Sequence, residues 1–144
     1  MQFLMDVRKL PAFMPRMTKL PVLGIIDHMG HAPVAIGLNA PGFVALRHLV
    51  SDHNYWVKLS GTYRISDCKS AYSDVCPLAH SLIDTAPDRM VWGSDWPHVS
   101  VADMPDTGVL RNLLSRWAPD ETVRRKILVE NPARLYGFPT VDAA

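Results

Sequence analysis

Asp95 and His98 stand three residues apart, directly after a short apolar run, in the segment 89–98 (RMVWGSDWPH). The apolar residues favour a strand, and Pro97 prevents any regular continuation of it. An aspartate at the carboxyl end of a buried strand occupies the position where open α/β sheets and barrels hold their catalytic groups. A turn aspartate without a chemical role is the alternative, and the spacing alone does not separate the two.

Two further strand-like runs end in polar groups: His28 follows the run 22–26, and Arg64 follows the run 55–59. Because the carboxyl ends of parallel strands lie on one face of a sheet, His28, Arg64 and Asp95 are expected to converge on one pocket. A carboxylate can act as a general base toward water, an imidazole can polarise a carbonyl or bind a metal, and a guanidinium can hold a carboxylate. The three groups together suit hydrolysis of an ester, lactone or amide that carries an acidic substituent.

Each candidate also has an interpretation without chemistry. His28 is typical of a loop histidine bonded to a backbone carbonyl, and Arg64 of a surface arginine. His31 and His98 are more often structural or exposed than ligands. Lys58, inside an apolar strand, more often forms an ion pair or snorkels than acts as a catalytic amine. The presence of capable groups at three strand ends is what favours a functional pocket.

The apolar periodicity alternates between strand and helix along the chain. Strands are predicted over 2–5, 22–26, 55–59 and 89–94, and helices over 7–20, 41–50, 74–86, 107–117 and 119–130. Pro11 and Pro15 must shorten or kink the first helix. Such alternation is the signature of βαβ units with a parallel sheet. Four units fit a small doubly wound sheet or half of a (β/α)8 barrel, and the lack of a glycine-rich nucleotide motif weighs against the first.

The composition limits the function classes. With 48% hydrophobic and 20% charged residues, the 144-residue chain is expected to fold as a globular domain. A net charge of +1 without a basic block argues against nucleic-acid binding. Two cysteines without C-x-x-C spacing are typical of a reducing compartment, so a cytoplasmic location is expected. No apolar run reaches the roughly 18 residues of a membrane span, and no signal-peptide pattern begins the chain.

Four blocks of the sequence together resemble the carboxyl-terminal half of the amidohydrolase-related TIM-barrel hydrolases. They are 26–30 (IDHMG), 57–64 (VKLSGTYR), 91–98 (VWGSDWPH) and 131–138 (NPARLYGF). The branch that contains 2-pyrone-4,6-dicarboxylate lactonase is the most similar. The resemblance implies an α/β fold in which residues 1–144 form the carboxyl-terminal half of a (β/α)8 barrel. That half would comprise about four parallel βα units, equivalent to strands 5–8, and a carboxyl-terminal helix.

The resemblance also implies roles for the strand-end groups. Asp95 resembles the catalytic aspartate that activates water, and His28 resembles the histidine that helps to polarise the lactone carbonyl. Arg64 resembles an arginine that holds a substrate carboxylate, and Tyr63 and His98 are predicted to bind substrate beside it. The small-molecule substrate would be a lactone or cyclic ester with an acidic substituent, such as 2-pyrone-4,6-dicarboxylate or a sugar lactone.

Whether the site uses a metal stays open at this point. The resemblance implies that the most similar branch needs no cofactor, whereas the wider superfamily commonly holds one or two divalent ions. Zinc is therefore kept as an alternative, with His28 and Asp95 as its ligands. A metal-dependent decarboxylase or amidohydrolase of the same superfamily is the first alternative function.

Two departures from the family limit the functional prediction. The family's amino-terminal H-x-H has no counterpart in this sequence, and Leu4 stands where the family tends to carry a pocket tyrosine. The chain is therefore expected to be half a barrel: a fragment, a truncated gene product or the result of a mispredicted start. Strands near 2–5 and 90–94 would then be open edges, through which the chain is expected to self-associate. A truncated, non-catalytic remnant is the second alternative function.

Overall fold

Four parallel strands form one sheet in the computed structural model, which describes residues 1–68 and 71–139. The strands are β1 (Gln2–Phe3), β2 (Gly24–Ile26), β3 (Tyr55–Leu59) and β4 (Met90–Trp92). Their order in the sheet is their order in the sequence, and every neighbouring pair is parallel. A sheet that grows in one direction is the pattern of a barrel, whereas a doubly wound sheet reverses its strand order. The predicted half-barrel is therefore confirmed over the doubly wound alternative.

Six α-helices accompany the sheet within the described part of the chain. They are α1 (Leu10–Met17), α2 (Pro41–Asp52), α3 (Cys76–Thr85), α4 (Thr107–Trp117), α5 (Glu121–Arg125) and α6 (Asn131–Tyr136). Within the described residues, no helix is both long enough and apolar enough to cross a membrane. The predicted shortening of the first helix is confirmed: a 3-10 turn, Val7–Lys9, precedes α1, and Pro15 lies inside it. The strands other than β3 are shorter than predicted: β1 and β4 end two residues earlier because the chain turns into the loops, and β2 begins two residues later.

The two faces of the sheet have different neighbours. Phe3, Ile26, Val57 and Met90 align across the four strands and point toward the helices. The last three are fully buried, in one apolar cluster that includes residues from the helices. The opposite face would line the barrel interior, and it carries a second, small cluster built on Ile25, Trp56 and Val91.

The carboxyl-terminal helices cover the part of that interior face around Trp56. The side chain of Asn131 donates hydrogen bonds to the carbonyls of Pro87 at 2.8 Å and Met90 at 2.7 Å, which fixes α6 beside β4. From there the guanidinium of Arg134 lies 4.9 Å from the Trp56 ring. The predicted helix end at residue 130 is wrong, since a π-helical turn, Lys126–Glu130, joins α5 to α6.

Candidate active site

Asp95 lies in the loop after β4, with a side chain that is 15% exposed. Its Oδ2 accepts a hydrogen bond from the Tyr63 hydroxyl at 2.5 Å and another from Nε of Arg64 at 2.8 Å. Burial by itself would raise the pKa of the Asp95 carboxyl, but these donors hold that pKa below its usual value. Asp95 is therefore an ionised carboxylate at neutral pH, and its other oxygen, Oδ1, faces His28.

His28 presents a neutral imidazole to Asp95. Its Nε2 lies 3.5 Å from Oδ1 of Asp95, a separation too long for a normal hydrogen bond. On the other side of the ring, Nδ1 lies 2.8 Å from Oγ of Ser60. Burial lowers the pKa of His28 below its usual 6.5, although the nearby Asp95 charge acts in the opposite direction. Nε2 and Oδ1 are too close for another atom to lie between them, so a neutral ring and a negative charge stand side by side at this end of the sheet.

Gly61 makes room for the His28 ring. Its φ is +62°, and a Cβ at this position would lie 2.8 Å from Nδ1 of His28. A side chain here would strain the backbone and also displace the ring. Together with the buried Ser60, Gly61 forms a wall that sets the orientation of the imidazole.

The loops that carry His28 and Asp95 contain several residues with positive φ. The turn His28–His31 has φ values of 53°, 50°, 69° and 45° in chain order, so it winds in the left-handed sense. Asp95 and His98 also have positive φ, at 63° and 55°. Side chains other than glycine avoid this region at a cost of about 1–2 kcal/mol each. Strain of this kind concentrates at functional sites, so it marks this end of the sheet independently of residue type.

Tyr63 and Arg64 come from a 3-10 turn, Thr62–Arg64, that follows β3. Besides its bond to Asp95, Arg64 donates through Nη2 to the Val99 carbonyl at 3.0 Å, so it ties the loops after β3 and β4 together. Its guanidinium lies 4.9 Å from the centroid of the Tyr63 ring. Burial, reinforced by Asp95, raises the pKa of the Tyr63 hydroxyl to about 12. Tyr63 consequently stays protonated and acts as a donor.

His98 lies behind Tyr63 and is 2% exposed. Its ring meets the Tyr63 ring edge to face, with centroids 5.5 Å apart. Nδ1 lies 3.4 Å from the Tyr63 hydroxyl, and Nε2 lies 3.1 Å from Oγ1 of Thr107, the first residue of α4. The ring is enclosed by these contacts, while its predicted role in substrate binding stays a prediction.

The structure brings the predicted site residues together. Asp95 contacts His28, Tyr63 and Arg64 directly, and His98 joins them through Tyr63. Their chemical roles stay predictions. Ser60, Gly61 and Thr107 were not predicted to support the site, and their contacts depend on how the loops fold.

Lys58 forms an ion pair inside the prospective barrel, as its position in the strand predicts. Its Nζ lies 2.6 Å from Oδ1 of Asp27, a contact that is not aligned as a hydrogen bond, and 3.4 Å from Oε1 of Gln2. The pair links β3 to the end of β2 and to β1. Lys58 and Arg64 therefore each have a carboxylate partner, Asp27 and Asp95.

A catalytic zinc site normally uses three protein ligands. Within residues 1–68 and 71–139, no group of three or more histidine, cysteine or acidic side chains is arranged to hold a metal. His28 Nε2 and Asp95 Oδ1 could supply two ligands, but the guanidinium of Arg64 lies against the same carboxylate. The residues described here do not by themselves make a complete zinc site.

A sequence model of the amidohydrolase family matches residues 1–138. The chain belongs to the amidohydrolase family. A 4-sulfomuconolactone hydrolase from Rhizobium radiobacter is 52% identical over 116 residues, which cover 78% of this chain and 39% of that protein. A 2-pyrone-4,6-dicarboxylate hydrolase from Comamonas testosteroni is 36% identical over 137 residues, which cover 88% of this chain and 45% of that protein.

Solved structures of relatives share the fold of this amidohydrolase chain. A crystal structure of an Agrobacterium tumefaciens protein superposes with a TM-score of 0.85 at 36% identity, over 97% of this chain and 50% of that one. An amidohydrolase from Burkholderia multivorans with bound zinc gives a TM-score of 0.75 at 25% identity, over 96% of this chain and 52% of that one. The chain thus spans about half the length of these structures, and less than half of the two curated relatives.

Proposed function

We propose that this chain carries the acid–base part of the active site of a lactone hydrolase, with Asp95 as the general base. The observation that carries the proposal is the facing of Asp95 Oδ1 and His28 Nε2 across 3.5 Å. Oδ2 is held by Tyr63 and Arg64, so Oδ1 is the oxygen left for a water molecule. The names of the relatives support a lactone as the substrate class.

The proposed reaction needs only Asp95, His28, Ser60 and one water molecule bound beside Oδ1 of Asp95. Asp95 Oδ1 accepts a proton from the water, whose oxygen bonds to the lactone carbonyl carbon. The Ser60 hydroxyl donates a hydrogen bond to Nδ1 of His28, so the ring proton is on Nε2, which donates a hydrogen bond to the developing oxyanion. The ring C–O bond then breaks, and the proton held by Asp95 passes to the leaving oxygen. The product is an acyclic hydroxy acid.

Arg64 is proposed to anchor an acidic substituent of the lactone. One N–H of Nη2 is bonded to Val99 and Nε is bonded to Asp95, which leaves Nη1 and the second N–H of Nη2 for an anionic group. Tyr63 is proposed to line the same region, and His98 to support it from behind the Tyr63 ring. The acidic lactones in the names of the two relatives, a sulfomuconolactone and a pyrone dicarboxylate, agree with such an anchor.

A metal-dependent amidohydrolase or decarboxylase is the second candidate, favoured by the zinc in the Burkholderia multivorans structure. In that case His28 and Asp95 would contribute two ligands and further ligands would have to come from elsewhere. Metal analysis of the purified protein separates the candidates, because a stoichiometric divalent ion is expected only for the second.

The catalytic proposal is tested by assaying the chain on 2-pyrone-4,6-dicarboxylate and on sugar lactones beside Asp95→Asn. The variant removes the base while keeping a residue type that tolerates positive φ, so kcat/KM is expected to fall about 10²–10⁴-fold. Asp84→Asn, exposed on α3, is the matched control and should retain the parent's activity. Equal activity of Asp95→Asn and the parent would contradict the role of Asp95. A folded parent that hydrolyses no lactone would contradict activity of this chain alone.

We further propose that residues 1–144 act as one partial barrel domain that pairs with a second copy. β1 and β4 are the outer strands of the described sheet. Two copies related by a two-fold axis would place β4 of each beside β1 of the other and close an eight-stranded barrel. Sedimentation velocity should give a dimer, and a monodisperse monomer that unfolds cooperatively would contradict the pairing.

The two free cysteines, Cys68 and Cys76, are consistent with the proposed cytoplasmic location.

A further inference from the structure

His98 is a buried histidine whose two ring nitrogens both have polar neighbours. It is 2% exposed, so a substrate could not reach it without moving Tyr63 or α4. Its backbone is held at φ +55° in the loop that also carries Asp95. The His98 N–H donates to the Asp95 carbonyl at 2.8 Å, which closes that loop into a tight turn. A side chain enclosed so completely acts on a reaction only through its neighbours.

The direction of each hydrogen bond follows from the donors available. The Tyr63 hydroxyl has one proton, and the carboxylate of Asp95, 2.5 Å away, can only accept it. The Tyr63 oxygen therefore offers a lone pair to Nδ1 of His98 at 3.4 Å, so Nδ1 must be the protonated nitrogen. Nε2 is then an acceptor, and the hydroxyl of Thr107, 3.1 Å away, is its donor.

These bonds form one chain that runs from α4 to the carboxylate: Thr107 donates to His98, His98 to Tyr63, and Tyr63 to Asp95. Hydrogen bonds in such a chain polarise and strengthen one another. This series of hydrogen bonds ends on Oδ2 of Asp95, on the opposite side of the carboxylate from His28. The series can therefore determine which carboxylate oxygen stays available to water beside His28.

We propose that His98 is a positioning residue that, as the neutral Nδ1–H tautomer held by Thr107, orients the Tyr63 hydroxyl onto Oδ2 of Asp95 and so keeps Oδ1 available for water. The catalytic meaning of this assignment rests on the proposed function. The tautomer and the hydrogen-bond chain do not, because they follow from the geometry of the folded chain. This assignment also differs from the direct substrate contact that the sequence led us to expect of His98.

The tautomer is tested first, because it needs no activity. Nitrogen-15 NMR of the imidazoles, assigned with a His98→Asn variant, should show Nδ1 protonated and Nε2 bare at pH 7. In Thr107→Val, which keeps the side-chain shape but removes the hydroxyl, the preference for this tautomer should weaken, and in Thr107→Ser it should persist. A His98 ring found as the Nε2–H tautomer or as the imidazolium would overturn the assignment.

The positioning role is tested by the kinetic parameters of lactone hydrolysis. Thr107→Val should lower kcat about fivefold, the effect of weakening one neutral hydrogen bond, with KM unchanged. His98→Asn should largely retain kcat, because its amide can donate in place of Nδ1–H and asparagine tolerates positive φ. His98→Leu should lose more of kcat than Thr107→Val. A rise in KM with kcat unchanged in these variants would overturn the positioning role in favour of substrate binding. If the parent hydrolyses no lactone, the proposed function fails while the tautomer measurement still decides the hydrogen-bond chain.

Discussion

The two faces of the four-stranded sheet differ in polarity, because alternate residues of the same strands point to opposite sides. On the helix-covered face, Val57 and Leu59 are fully buried among apolar side chains. On the interior face, Lys58 between them carries a charge and needs Asp27 to balance it. The outer face supplies burial, at up to about 1.5–3 kcal/mol for each large side chain. The interior face and the loops above it hold polar groups in fixed geometry, so variants on the two faces should separate stability from chemistry.

The largest effect on stability is expected on the outer face. Leu59→Ala removes a fully buried side chain from the core and should lower the free energy of unfolding by about 2–5 kcal/mol. Denaturant unfolding followed by circular dichroism measures this change. Val109→Ala, a truncation of a 40%-exposed side chain on α4, is the control and should cost well under half as much. A comparable loss in both variants would break the distinction between core and surface.

The next largest effect tests whether charge on the interior face is balanced rather than merely tolerated. Lys58→Met leaves Asp27 without its cation in a site that is only 15% exposed, and should cost about 1–3 kcal/mol. Adding Asp27→Asn to this variant should recover much of the loss, because no unpaired charge remains. Unfolding free energies of the two single variants and the double variant measure the coupling. An additive double variant would show that the ion pair contributes nothing to the fold.

Gly61→Ala should have a smaller effect on stability but a clear effect on the site. The substitution places a Cβ 2.8 Å from Nδ1 of His28 at a φ of +62°, and the backbone strain costs about 1–2 kcal/mol. The ring must move, so its hydrogen bond to Ser60 should weaken. The His28 imidazole resonances report that movement directly. Gly137→Ala is the matched control for strain without collision, because Gly137 has the same left-handed backbone (φ +72°, ψ 30°) and no atom lies within 4 Å of its Cβ position.

The smallest effect expected is a pH dependence that belongs to the interior loops. The pKa of His28 is lowered by burial, so its contribution to stability is complete above pH 6.5 and is lost as pH falls through the folded-state pKa. Asp95, whose pKa is also lowered, loses its contribution at more acidic pH. In His28→Asn the decline just below pH 6.5 should therefore be weaker than in the parent. Unfolding free energies measured from pH 8 to pH 4 test this, and an unchanged profile would contradict it.

The sequence was sufficient for the architecture and for the three strand-end groups. Strand-length apolar runs alternate with segments of helical periodicity, and this pattern located the four strands of the described sheet. The rule that parallel strands end on one face placed His28, Arg64 and Asp95 together. The sequence prediction ended the last helix at residue 130, before Pro132, whereas helical structure continues through α6 to Tyr136. In the structure, the N–H of Asn131 bonds to the carbonyl of Lys126, and this wider turn accommodates the proline, which has no N–H of its own.

The supporting contacts of the site could not be read from the sequence for a physical reason. Ser60 and Gly61 contact His28, and Thr107 contacts His98, and both histidines have positive φ, a conformation that most residue types do not signal. His28 and Asp95 themselves are examples, since neither is a glycine. The burial of His98 likewise depends on where α4 begins relative to the preceding loop. Long-range contacts of this kind are set by the tertiary fold and not by local pattern.

The hydrogen bonds among Ser60, His28, Asp95, Tyr63 and His98 have a consequence for protein engineering. All of these partners belong to the stretch from β2 to the start of α4, so the network is a transferable cassette. A chimeric barrel that receives this cassette from one parent and its remaining units from another should inherit this hydrogen-bond geometry unchanged. The units that face the cassette across the barrel can then be exchanged while the network stays intact.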